Sequence, residues 1–327
     1  MKENRLITEL RGMAALMVMI FHFVCVSNNF LLSESLIHLF DFAKHGVQMF
    51  FVISGYILTS SMVSGNYKIE NIFTFLLKRL IRIEPPYIIS LIFILVLLTL
   101  KSCLADLPLH LYFNFSQVLL HLGYLIPFSD YPWLNIVYWT LAIEFQFYIF
   151  LAFIFPLTNV SSKLRFLVLL ILSIIFYLNS YVPELEILFW LPIFISGICL
   201  AFLSSGTKKD LKLILLIIGL DFIIFDSMKL EIGIIVIITQ LFIVSCKPMN
   251  NIIFYRLGQI SYSIYLIHTI IGFTLINLAI RYSQNSLFRI VAFVVIFLVT
   301  ILASLYFNKF FEKPFQKLSS RIKYYKS

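Results

Sequence analysis

Residues 5–26 read RLITELRGMAALMVMIFHFVCV, an apolar stretch of membrane-spanning length with an arginine near its start and a histidine well inside it. Arg11, Ala15, Val18 and His22 follow a 4-3-4 spacing, so in a helix they line one stripe, with His22 about 16 Å of rise beyond Arg11. An ionisable side chain at such depth is costly unless it faces the interior of a helix bundle, and it marks a candidate functional site. The alternative is a histidine satisfied by a carbonyl of a neighbouring helix.

The rest of the chain is of the same kind. Of its 327 residues, 61% are hydrophobic and 13% charged, and the mean hydropathy is +0.98. Soluble domains do not reach such values, so an all-α, polytopic membrane protein is expected. The aromatic residues suit a lipid-facing surface and interfacial belts. Cys25, Cys103, Cys199 and Cys246 are scattered through apolar segments with no CxxC spacing. They read as small buried hydrophobes, with neither a disulfide framework nor a metal site.

Apolar runs between polar punctuation give about ten candidate transmembrane helices. They cover residues 6–27, 45–63, 85–103, 137–157, 163–181, 186–203, 211–226, 230–246, 258–280 and 287–308. The seventh is short and contains Asp221. No separate leader precedes the first, so the N-terminus reads as a retained helix. With that terminus inside, the outer segments hold only Lys44, Lys101, Lys229, Arg281 and Arg289 of the 25 basic residues. The inner segments hold the others, among them Lys2, Arg5, Lys68, Lys208, Lys209, Lys247, Lys313 and Lys326. This bias places both termini in the cytoplasm. The net charge of +9 is thereby a matter of topology, and dispersed basic loops give no nucleic-acid surface.

Two connections are long. In the inner one, NIFTFLLKRLIRIEPP, the spacing predicts a short amphipathic helix on the cytoplasmic face, stopped by Pro85-Pro86. The outer one, residues 104–136, contains a weaker apolar run, 117–128, read as a re-entrant or interfacial piece. With no repeat and no large hydrophilic region, residues 1–327 read as a single membrane domain, and the basic C-terminal tail as an anchor on anionic lipid headgroups.

A few polar groups do not belong in lipid. Arg11 and His22 lie on the first span, and Ser54-Gly55 interrupts MFFVISGYIL on the second. Glu144 lies in YWTLAIEFQFYIF with Gln146 and Tyr148 beside it, and His268 in SYSIYLIH. Glu144 sits about 9 Å of rise below the aromatic edge at Tyr138 and Trp139, within about 5 Å of the depth of His22, so a carboxylate–imidazole pair is expected if the helices are neighbours. Such a pair would orient the ring and raise its basicity. The alternative satisfies Glu144 with Gln or Tyr neighbours. Arg79 and Arg82, one turn apart, suit phosphate oxygens, although lipid headgroups would serve equally. Ser54-Gly55 reads as a close helix approach, since FVISGY lacks the flanking glycine of a GxSxG nucleophile. His268 reads as a substrate contact, a support behind one, or a structural residue.

Together these stretches resemble a known family. LRGMAALMVMIFH, HGVQMFFVISGYIL, FLLKRLIRIEPPY, WTLAIEFQFYIF, GQISYSIYLIH and FEKPF occur in the order and spacing of the acyltransferase-3 family of integral membrane acyltransferases, and the likeness covers nearly the whole chain. The resemblance implies transfer of an acyl group, commonly acetyl from acetyl-CoA, to a hydroxyl of a surface glycan or lipid-linked sugar at the bacterial inner membrane. It carries the family's essential histidine to His22, its first-helix arginine to Arg11 and its arginine pair to Arg79 and Arg82. Two features depart from the pattern. Gln48 stands where an aspartate is often found, and no soluble esterase-like domain follows the last helix.

The expected scheme places the phosphates of cytoplasmic acyl-CoA on Arg79 and Arg82 and its thin arm toward His22, which acts as base or as acyl-carrying nucleophile. Glu144 would hold the ring, and Arg11 would bind phosphate or the thioester oxyanion. Ser54, Tyr148 and His268 are the candidate substrate contacts, and no metal is expected. The acceptor would be O-antigen, capsule or exopolysaccharide. The rival reading is a transporter or flippase for a lipid-linked sugar, against which stands the lack of matching halves with broken helices.

Overall fold

The computed structural model describes residues 4–27, 30–31, 34–179, 186–205 and 210–324. Lys2, Lys208, Lys209 and Lys326 of the charge pattern lie outside them. The protein is all-α. The first stretch forms α1, Arg5–Phe21, capped by the Asn4 side chain, and runs into a π-helical turn, His22–Val26. There follow α2, Glu34–Asp41, α3, Gly46–Ser64, α4, Ile72–Ala105, and α5, Phe115–Leu122. Next come α6, Trp139–Thr158, α7, Ser162–Asn179, α8, Glu186–Ser205, α9, Leu211–Ser227, and α10, Leu230–Ser245. The chain ends with α11, Ile252–Gln259, α12, Ser261–Tyr282, α13, Ser286–Phe307, a second π-helical turn, Asn308–Glu312, and α14, Lys313–Arg321.

Each expected span overlaps a helix, although 180–181 lie outside the described residues and the span 258–280 begins on α11 and is broken at Ile260. Among the described residues, seven helical stretches are long and apolar enough to cross a membrane. The chain is therefore a polytopic membrane protein, and its exposed large apolar side chains, such as Leu104, Phe222 and Leu298, suit lipid contact. Asp221 on α9 is not stranded there. It accepts a 2.7 Å hydrogen bond from Gln240 on α10, a polar link between helices.

Two expectations are overturned here. Of the four cysteines only Cys199 is buried, and Cys103 and Cys246 are exposed at helix ends, where the thiol is left at the surface. Pro85-Pro86 does not end a short interfacial helix, because α4 continues through the pair for 34 residues. A proline ring costs the helix its own N–H bond, and in a bilayer no water competes for the freed carbonyls, so neighbouring helices can hold the segment helical. Tyr262 of α12 donates to the Ile83 carbonyl at 2.9 Å just before the prolines. A 34-residue helix is about 51 Å long, far beyond a hydrocarbon core of about 30 Å. Its first turns therefore extend past the core and carry the charges of the amphipathic stretch.

Small residues set the closest helix contacts. A Cβ at Gly55 would lie 2.3 Å from the Phe194 carbonyl oxygen, and one at Gly258 would lie 1.8 Å from that of Thr8. Backbone thus packs on backbone where α3 crosses α8 and where α11 meets α1. The second contact sets the level of α12 against α1. Gly258→Ala is expected to lower the stability of the detergent-solubilised protein by about 1–3 kcal/mol, since the clash is with main chain. Gly219→Ala, where nothing lies within 4 Å, is the neutral control in the same thermal unfolding experiment.

Candidate active site

The two costly groups of α1 end up in different surroundings. Arg11 lines a cavity of about 140 Å³, together with Arg79 and Arg82 of α4, Ser54 of α3, Glu144 and Tyr148 of α6, Tyr262 of α12 and Glu312 of the second π-helical turn. Among the described residues, no ion pair joins these arginines to Glu144 or Glu312. Arg79 is buried, its guanidinium lies 5.3 Å from the centre of the Phe75 ring, and its Nε has no hydrogen-bond partner among the described residues. Three fixed cations beside two carboxylates leave an excess of positive charge, and an anion with several oxygens would satisfy it.

The carboxylates are held by neutral donors. Glu144 Oε1 accepts from Tyr148 at 2.6 Å and from Ser54 at 3.0 Å. Glu312 is buried and accepts from Asn308 at 2.7 Å, from Ser263 and from Gln316. Outside the helices that could span, Tyr324 packs against Tyr67 and Lys78. Burial pushes its phenol up, and the Arg79 charge pulls the other way.

His22 does not line this cavity. It opens the π-helical turn, an irregularity that tends to accompany functional sites. Its ring centre stands 5.0 Å from that of His268 on α12, and His22 Nδ1 is 3.2 Å from His268 Nε2. Tyr265 connects the two regions. It lines the cavity, packs 6.2 Å from Phe50, and lies 6.1 Å from the His268 ring. One aromatic layer, Phe50 and Tyr265, therefore separates the arginine cavity from the histidine pair.

The expected Glu144–His22 pair is not formed. Glu144 turns to Ser54 and Tyr148, and His22 to His268. Equal depth does not make helices neighbours, and α6 packs on α3, α4, α7 and α8, whereas α1 packs on α3, α11 and α12. His268 is fully buried, with both ring nitrogens taken up by protein, so the contact it makes is with His22 and not with an open cavity. Ser54 and Tyr148 do line the cavity, and Gly55 makes the close helix approach read from FVISGY.

The family model described as an acyltransferase domain, acyltransferase-3, matches residues 7–309, nearly the whole chain. The chain belongs to the acyltransferase-3 family. No curated protein and no solved structure matches it. Membership makes this a membrane acyltransferase and favours the enzyme over the carrier. In this acyltransferase the cavity draws on α1, α3, α4, α6, α12 and the second π-helical turn, so the blocks quoted from the sequence meet at one place. Glu312 and Tyr262 were not singled out in the sequence. The available signal was their position inside FEKPF and GQISYSIYLIH, two of those blocks.

Proposed function

We propose that the protein is an O-acyltransferase that moves an acyl group, acetyl in the simplest case, from cytoplasmic acyl-CoA to a hydroxyl of a cell-surface glycan. It would sit in the bacterial inner membrane with about ten spans and both termini inside, as the charge bias favours. The observation that carries the reading is the arginine cavity, where, among the described residues, the buried Arg79 Nε lacks a partner and the guanidinium groups are not neutralised by contact ion pairs. Phosphates of acyl-CoA supply the missing oxygens. The acyl end of the donor then points along α1 past Phe50 and Tyr265, whose side chains must move aside for the thioester to reach His22.

The chemistry falls to His22 Nε2. As a base, this nitrogen takes the proton of the acceptor hydroxyl while the oxygen attacks the thioester carbonyl. The tetrahedral intermediate then expels the CoA thiolate, which recovers the proton and leaves ester and free thiol. As a nucleophile, the same nitrogen would attack the thioester carbonyl and expel the CoA thiolate, and the acceptor hydroxyl would then take the acyl group from the imidazole while its proton passes to that thiolate, leaving ester, free thiol and the neutral ring. Membranes containing the protein, incubated with acetyl-labelled acetyl-CoA, are expected to move label into glycan, with a matching mass increase of the polymer. Loss of labelled acetyl-CoA to free acetate alone, with no label in glycan at any protein level, would refute the reading.

A further inference from the structure

Hydrogen-bond partners fix where the protons of the histidine pair sit. His268 Nδ1 lies 2.8 Å from the Ile264 carbonyl oxygen and 3.0 Å from that of Tyr265. A carbonyl oxygen can only accept, so Nδ1 carries the proton and Nε2 is left as a bare acceptor. That Nε2 faces His22 Nδ1 at 3.2 Å, and His22 Nδ1 also lies 2.8 Å from the Val18 carbonyl oxygen. Both neighbours of His22 Nδ1 are acceptors, so this nitrogen bears a proton too. The lone pair of His22 is thereby assigned to Nε2.

From this we propose that His268 is a positioning residue for His22. It would select the tautomer with Nε2 unprotonated and receive the strengthened Nδ1–H bond when His22 becomes positively charged during transfer. This is the duty sequence reasoning gave to Glu144, a residue engaged by Ser54 and Tyr148 instead. A neutral imidazole suits the place, because His268 is 0% exposed and an ionised carboxylate there would carry a desolvation cost that a neutral acceptor avoids. The backbone carbonyls of α12 hold the His268 ring as carboxylates hold the histidines of catalytic triads, through the nitrogen away from the reaction. The packing agrees. Gly272, one turn beyond, leaves room for the Phe23 ring, which a Cβ there would meet at 2.1 Å, so α1 and α12 approach closely at the level of the pair.

The proposal rests on the acyl-transfer reading for its kinetic effect but not for its spectroscopic one. His268→Leu removes the acceptor, His268→Asn is too short to reach His22, and His268→Gln can place an amide oxygen where Nε2 stood. The expected result is a fall in kcat of about 10- to 100-fold for the Leu and Asn variants, the size of one hydrogen bond to a charged group, with KM for acetyl-CoA unchanged. Gln should restore kcat to within a few-fold of wild type. Full activity of the Leu variant, or a Gln variant as impaired as Leu at equal membrane levels, would overturn the role. Nitrogen-15 NMR of histidine-labelled wild-type protein is independent of turnover and of any variant's folding. It should show His22 protonated at Nδ1 and bare at Nε2, and the reverse tautomer would refute the proposal even if acyl transfer were intact.

Discussion

Membranes carrying His22→Ala are expected to transfer no measurable acetyl group to glycan, with the protein present at wild-type level. General base catalysis by a placed side chain contributes about 10²–10⁴-fold, and covalent catalysis would make the loss larger still. Insertion should survive, because the change removes a polar ring from an apolar helix and α1 keeps its packing through Leu10, Ala14 and Met19, all fully buried. His22→Gln is the sharper variant. Its amide can reproduce a hydrogen bond but cannot take up a proton or an acyl group, so it should be as inactive as alanine. Transfer by the Gln variant at more than a tenth of the wild-type rate would reduce His22 to a structural group and move the search to the polar cavity. Rapid quenching with labelled acetyl-CoA before an acceptor is added separates the two chemistries, since label on the protein requires the nucleophilic route.

How much of this was legible in the sequence depends on which coordinate is asked for. Hydropathy and helical rise give position along a helix, and the stripe from Arg11 to His22 and the line of Arg79 with Arg82 follow from them. They give no position around the bundle. Glu144 and His22 were matched by depth alone, and the structure pairs each with side chains from another helix. His268 could have been proposed as the partner only by knowing that α11 docks on α1 through Gly12 and Gly258 and so brings α12 alongside. The proline pair in α4 failed for another reason. A rule learned in water, where a broken hydrogen bond is replaced by solvent, overstates the power of proline to end a helix in a bilayer. Glu312 was passed over because it lies just beyond the last apolar run, in a segment read as a cytoplasmic tail. The π-helical turn Asn308–Glu312 carries it back into the bundle, where it is 2% exposed.

Charge reversal at the arginine pair should raise KM for acetyl-CoA more than it lowers kcat. With Arg11, Arg79 and Arg82 facing Glu144 and Glu312, the cavity holds one net positive charge, and Arg79→Glu or Arg82→Glu turns it to one net negative charge. A charge-assisted hydrogen bond to phosphate contributes about 1.5–3 kcal/mol, so loss of one alone raises KM about 10- to 100-fold. Repulsion between the new carboxylate and the phosphates adds to that. Arg79 should be the more sensitive of the two, since its guanidinium is buried on the Phe75 ring and its unpartnered Nε has no solvent to turn to. Arg79→Lys keeps the charge but loses the planar fork, and an intermediate KM is expected. Arg82, only partly buried, should tolerate lysine better. The effects should shrink as the donor is shortened to an acetyl thioester without phosphates, because a substrate with no anion has nothing to lose at this cavity. An unchanged KM for acetyl-CoA in both reversal variants, with transfer intact, would mean that the arginines bind lipid headgroups and that the donor enters elsewhere.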